Sequence, residues 1–207
     1  MATDTTTVYE GHFGTYTITP ADRRGVFVYR LAILGVGLSF AAGTFSAFLG
    51  LSPVLISAAF LAFCICLGVA LATIHIYMLF LHRALWILWG IGVAASLALA
   101  FRPIPLALTA YTDPWGLIGT GFVFAALTGV CIKESFCFGW WETAITAIGL
   151  PVLLLGHLFG LWNPQIELGI ASACALALLS VGLRKWFYPV PDDIGDKSVH
   201  EHVRSEH

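Results

Sequence analysis

Between positions 53 and 101 the only Asp, Glu, Lys or Arg is Arg83, in a stretch that is otherwise almost unbroken apolar sequence. The hydrocarbon core of a bilayer, about 30 Å thick, is crossed by about 20 helical residues rising ~1.5 Å each. One helix cannot use so long a run, whereas two helices joined by a tight turn can. No glycine or proline stands at the polar pair His82-Arg83, yet that pair is where the turn is expected, with His75 inside the second span or at its inner edge. Further apolar runs at 26–49, 114–132, 139–161 and 165–183 bring the expected total to six. Residues 102–113, broken by Pro103 and Pro105, form an outer connection that is either interfacial or partly re-entrant.

Composition agrees with lipid as the solvent. Charged residues make up 11% of the chain and hydrophobic ones 58%, against roughly 25% charged in a soluble domain. The expected fold class is therefore all-α, a polytopic transmembrane helical bundle whose first partner is the lipid bilayer. A net charge of -2 leaves no electrostatic footprint for nucleic acid. The cysteines form no disulfide framework: Cys64, Cys66, Cys131 and Cys174 lie in apolar runs and read as small buried side chains, and Cys137 falls in a short loop. Residues 1–25 hold no apolar stretch of signal length, so the first span is expected to direct insertion.

The organisation expected is an N-terminal segment at 1–25, the bundle at 26–183, and a polar, solvated tail at 184–207. Within the first segment, residues 8–18 alternate around Gly11 and Gly14 as a short hairpin would. Thr19-Pro20-Ala21-Asp22 reads as a helix start, with Thr19 as cap and Asp22 near the positive end of the helix dipole. Six spans put Arg23, Arg24, Arg83, Lys133, Arg184, Lys185, Lys197 and Arg204 on one side and Arg102 alone on the other. By the positive-inside rule both termini then face the cytoplasmic-type side. Small residues at four-residue spacing (Gly35, Ser39, Gly43; Gly121, Ala125, Gly129; Gly156, Gly160) are expected to pack helices within the bundle.

The feature that bears on function is a polar layer near the inner face: Arg30, His75, His82, Arg83, Lys133, Glu134 and Glu142. Ionisable groups in a membrane are costly unless paired or hydrated. Arg83, Lys133 and Glu134 read as interfacial anchors. Arg30, the one charge of the first span, is expected to point inward toward a carboxylate, with Glu134 and Glu142 as candidates. His75, and His157 in the outer half of span five, are candidate cofactor ligands, because a neutral imidazole can hold haem iron or chlorophyll magnesium; a hydrogen bond to a neighbouring helix is the competing reading. A haem shared by the two is not expected, since their depths differ by on the order of 10 Å or more; two independent ligands stay open. There is no glycine-rich phosphate loop, nucleophile elbow, zinc-site cysteine spacing or pair of carboxylates deep in a span, so enzyme status finds no motif to support it.

At Thr73-Ile74-His75-Ile76-Tyr77 with Leu81-His82-Arg83, and at Lys133-Glu134-Ser135-Phe136-Cys137-Phe138 with Leu155-Gly156-His157, the chain resembles a family of uncharacterised multi-pass membrane proteins of cyanobacteria, domain of unknown function 2301. The likeness extends to Phe13-Gly14-Thr15-Tyr16-Thr17-Ile18-Thr19 and to Tyr29-Arg30. The resemblance implies a thylakoid or plasma membrane location but transfers no activity. Two readings follow. One is a non-enzymatic accessory or assembly factor of a photosynthetic membrane, possessing a pigment at His75 or His157 and belonging to a larger membrane complex. The other is a small-solute transporter or channel gated by Arg30, Glu134 and Glu142.

Overall fold

Thr19 opens the first helix as the sequence suggests: its hydroxyl accepts from the Asp22 amide at 3.3 Å while its own amide donates to the Asp22 carboxylate at 2.9 Å. The same device, a polar cap followed by proline, starts three other helices, at Ser52-Pro53, Asp113-Pro114 and Asn163-Pro164. The computed structural model describes residues 8–11, 14–74, 78–190 and 194. Strands β1 (Val8–Gly11) and β2 (Gly14–Thr17) pair antiparallel as the expected hairpin. Among the described residues seven helices follow: α1 (Pro20–Phe48), α2 (Pro53–Thr73), α3 (Leu79–Ala100), α4 (Leu106–Thr112), α5 (Pro114–Phe138), α6 (Trp141–Leu158) and α7 (Pro164–Phe187). All but α4 are long and apolar enough to cross a membrane, which gives the six expected spans.

Three boundaries differ from the sequence reading. The break between the second and third spans falls at residues 74–78, so His82 and Arg83 sit in the first turn of α3 and not in the turn itself. Residues 133–138, expected as a loop, are the last turns of α5, which continues until Gly139 takes a left-handed φ of 64°. Apolar periodicity fades at Lys133, but a helix end is set by backbone geometry, and glycine is the residue that adopts αL without steric cost. Likewise α7 runs through Trp186 to Phe187, and Tyr188 packs on Phe138 and Trp140, so the chain leaves the bundle later than expected.

The six long helices form an antiparallel ring in chain order, α1–α2–α3–α5–α6–α7, closed by α7 against α1. Gly37 of α1 lies under the Leu178 carbonyl, where an added Cβ would sit 3.0 Å from the oxygen, and Gly182 of α7 faces the Leu34 backbone in the same way. Only glycine permits so close an approach. The Gly35 and Gly43 stripe turns toward α2, as expected of packing within the bundle, while Gly121 meets open space. The loosest junction, α2 with α3, is tied by the Trp89 indole, which lies on Gly68 and donates to the Cys64 carbonyl at 2.9 Å. Both described chain ends meet at one end of the ring, where Phe27 touches Trp186. The connection expected at 102–113 holds α4, anchored by the Ala107 amide on the Ser57 hydroxyl at 2.9 Å. Val36, Leu67, Val123, Leu127, Val130 and Leu178 fill the ring at mid-depth, whereas Leu38, Phe45, Ile65, Ile87 and Leu176 face outward into lipid.

Candidate functional site

Below the apolar middle lies a layer of ion pairs. Glu134, 2% exposed, accepts the Tyr29 hydroxyl at 2.7 Å and the Lys133 ammonium at 3.2 Å on one oxygen, and Lys185 meets the other. Lys185 is itself buried, and its ammonium lies 4.0 Å from the Phe138 ring centre and 5.4 Å from that of Trp140. Aromatic faces offset part of the lost hydration of such a cation. Four elements thus converge on one carboxylate: α1 through Tyr29, α5 through Glu134 and Lys133, α7 through Lys185, and the α5–α6 link through Trp140. Next to it, Glu142 of α6 accepts from Arg184 at 2.7 Å and Ser180 at 3.4 Å, and its second oxygen is buried without a hydrogen-bond partner among the described residues.

Arg30 stands apart from this layer. Its guanidinium donates to the Pro189 carbonyl at 3.1 Å, so it clamps the chain leaving α7 and does not meet Glu134 or Glu142. Lys185 and Arg184 already occupy those carboxylates. Arg83 is exposed. His82 links α3 to α2, its Nε2 lying 2.9 Å from the Leu71 carbonyl and 3.1 Å from the Trp86 indole nitrogen. His75 lies outside the described residues.

The outer half of the ring is hollow. A cavity of about 730 Å³ reaches from the α1–α2 turn and the start of α7 down to Phe63 and Phe124. Its wall is apolar, with Phe40, Phe60, Phe63 and Phe124 in mutual ring contact at its deep end. Polarity is concentrated near the mouth. There His157 Nδ1 lies 2.6 Å from Glu167 Oε1, His157 Nε2 lies 2.9 Å from the Tyr111 carbonyl, and the Tyr111 hydroxyl donates to Glu167 Oε2 at 2.9 Å. The Tyr111 and His157 rings pack with centres 4.4 Å apart. Burial and then the Glu167 carboxylate raise the Tyr111 hydroxyl above its ordinary pKa.

Tyr111 and Glu167 were not singled out from the sequence, nor were Tyr29 and Lys185. Glu167, in the first turn of α7, looks like a carboxylate placed for the helix dipole, and Lys185, in the last turn, like a basic anchor. Their partners lie on other helices, and no local spacing announces them. The signal that existed was His157, an imidazole deep enough in an apolar run to need a partner.

A ring of six apolar antiparallel helices, with charges paired at one end and a hollow at the other, defines a polytopic α-helical membrane protein. The chain belongs to the uncharacterized integral membrane protein family DUF2301, whose model matches residues 69–202. It is also similar to an uncharacterized protein of Haemophilus influenzae, with 29% identity over 99 residues that cover 46% of this chain and 56% of that relative. The chain thus matches little more than half of that protein's length. No solved structure matches.

Proposed function

We propose that this protein is a non-enzymatic ligand-binding bundle that holds a hydrophobic molecule in its outer cavity. The observation that carries this reading is the form of the cavity: about 730 Å³, within the size range of small-molecule sites, apolar along its length and polar at one end through Tyr111, His157 and Glu167. An accessory role in a photosynthetic membrane, with chlorophyll or haem at His157, is the narrower version implied by the family resemblance. Ligation of a metal centre would require His157 to give up Glu167 or the Tyr111 carbonyl, since both ring nitrogens are engaged. Retention by shape and by the polar mouth is the simpler use of the same residues.

The experiment is purification in mild detergent followed by native mass spectrometry, with an absorption spectrum recorded before and after reduction. A bound hydrophobic molecule lost in Ala171→Trp, which fills the cavity from α7, is the expected result. A preparation with no bound molecule, unchanged by that substitution, would count against the reading. A chlorophyll or haem band lost in His157→Ala would establish the narrower version.

A transport reading draws on a different observation, a cavity at one end of the ring and a layer of paired charges at the other, with the apolar middle between them. Glu134 and Glu142 would serve as the gate, opening by release of Lys185 and Arg184; Arg30 would act on it through the Pro189 segment. Flux in proteoliposomes retained by Arg30→Leu and by Glu142→Gln would sink that gate.

A further inference from the structure

The protonation state of the cavity mouth follows from its contacts. The Tyr111 carbonyl can only accept, so His157 Nε2 must carry a hydrogen. At 2.6 Å, His157 Nδ1 and Glu167 Oε1 cannot oppose two lone pairs, so a further hydrogen lies between them. Whether drawn as imidazolium with carboxylate or as imidazole with carboxylic acid, the pair shares one proton and has no net charge. The titratable groups facing Glu167 are His157 from α6 and Tyr111 from α4; the cavity linings of α1, α2 and α5 contribute none. Ser39 and Thr44 in that lining direct their hydroxyls to helix carbonyls. Among the described residues no Lys or Arg lines the cavity, and Arg102, the outer arginine, lies 3.8 Å from Asp113.

These features select the charge of a ligand. An anionic head would meet no cation other than the proton already held. A hydrophobic monocation, by contrast, meets at the mouth the Tyr111 ring and one carboxylate whose countercharge is a removable proton, while the deeper phenylalanine rings receive its apolar part. From this we infer that the cavity takes a hydrophobic monocation in exchange for the proton shared by His157 and Glu167. The exchange balances: before binding the mouth is neutral, and afterwards a neutral imidazole, the Glu167 carboxylate and the ligand's positive charge again sum to zero, with the proton released to water. As the proton leaves, the Glu167 carboxylate must turn from His157 Nδ1 toward the ligand, so that no two lone pairs are left opposed. Binding without release would leave a net positive charge in an apolar site, which is costly. This inference rests on the reading of the cavity as a ligand site and adds the ligand's charge and its coupling to protons.

The test uses the full chain in an uncharged detergent, with tetraphenylphosphonium as cationic probe and triphenylphosphine oxide as neutral probe. Calorimetry in buffers of different ionisation enthalpy counts protons. The expected result is saturable binding of the cation with release of about one proton, and an affinity that rises about tenfold per pH unit while the pair is protonated. Glu167→Gln should weaken the cation at least tenfold and leave the neutral probe's affinity in place, which also reports that the variant is folded. Should that variant not fold, the wild-type proton count and pH slope decide alone. A cation that binds no tighter than the neutral probe, or binds without proton release, overturns the inference and leaves the cavity reading standing. Failure of both probes overturns both.

Discussion

Glu134 and Lys185 show how much of this molecule's behaviour rests on single contacts. Both are buried and paired with one another, with the less buried Lys133 as a second partner of Glu134, so truncating Glu134 leaves Lys185 uncompensated, whereas removing both leaves only Lys133 to turn toward water. Glu134→Ala is expected to lower stability by about 3–5 kcal/mol, measured by unfolding in mixed detergent micelles. The double variant Glu134→Leu with Lys185→Leu should recover most of that loss. Tyr29→Phe, which removes a hydroxyl donating to the same carboxylate, should cost about 1.5–3 kcal/mol in the same assay. The carboxylate was visible in the sequence because an acid beside an apolar run is conspicuous. Its partner was not, because a lysine at a helix end next to the membrane surface has an ordinary alternative in water. Arg30 illustrates the converse: its depth suggested an ion pair, and a backbone carbonyl satisfied it instead.

Among the elements, the ends of helices were harder to read than their existence. Hydropathy locates a span by its middle, where every residue is apolar, but polar residues can continue the same helix into the interface, as α5 does from Lys133 to Phe138. What stops α5 is Gly139 in the left-handed region, so Gly139→Ala should destabilise the protein by about 1–2 kcal/mol, read from the same unfolding transitions, without altering the α1–α7 contact. That contact depends on glycines of another kind. Gly37→Leu would drive a side chain into the Leu178 backbone and should separate α1 from α7, detectable as faster proteolysis of the purified protein at the inner end, near Arg23 and Arg24.

For the molecule as a whole, an even number of spans places both ends of the ring's chain on the same side, and the contact of Phe27 with Trp186 agrees. By the positive-inside rule that side, which carries most of the lysine and arginine, is expected to face the cytoplasmic-type compartment. Cys137 is exposed beside Gly139 at this inner end, whereas the other cysteines lie within spans. In intact cells a membrane-impermeant maleimide should therefore leave Cys137 unlabelled until the membrane is permeabilised, while Asp113→Cys at the outer end should label at once. Labelling of Cys137 from outside would reverse the orientation. Two layers stack along this axis, the paired charges within and the hollow without, separated by the apolar middle of the ring.

The number of spans, their approximate limits, the side carrying the positive charge and the helix starts at Thr19-Pro20 and its counterparts were determined by the sequence alone. Each depends on residues adjacent along the chain, or on a sum over a window of them, and lipid imposes those local rules strictly. Which charges pair, and that Tyr111, His157 and Glu167 gather at the mouth of a cavity lined by helices far apart in the sequence, was decided only by tertiary structure. Such meetings depend on how helices rotate and approach one another, and that is set by packing at positions such as Gly37 and Gly182, not by the polar residues that come together as a result.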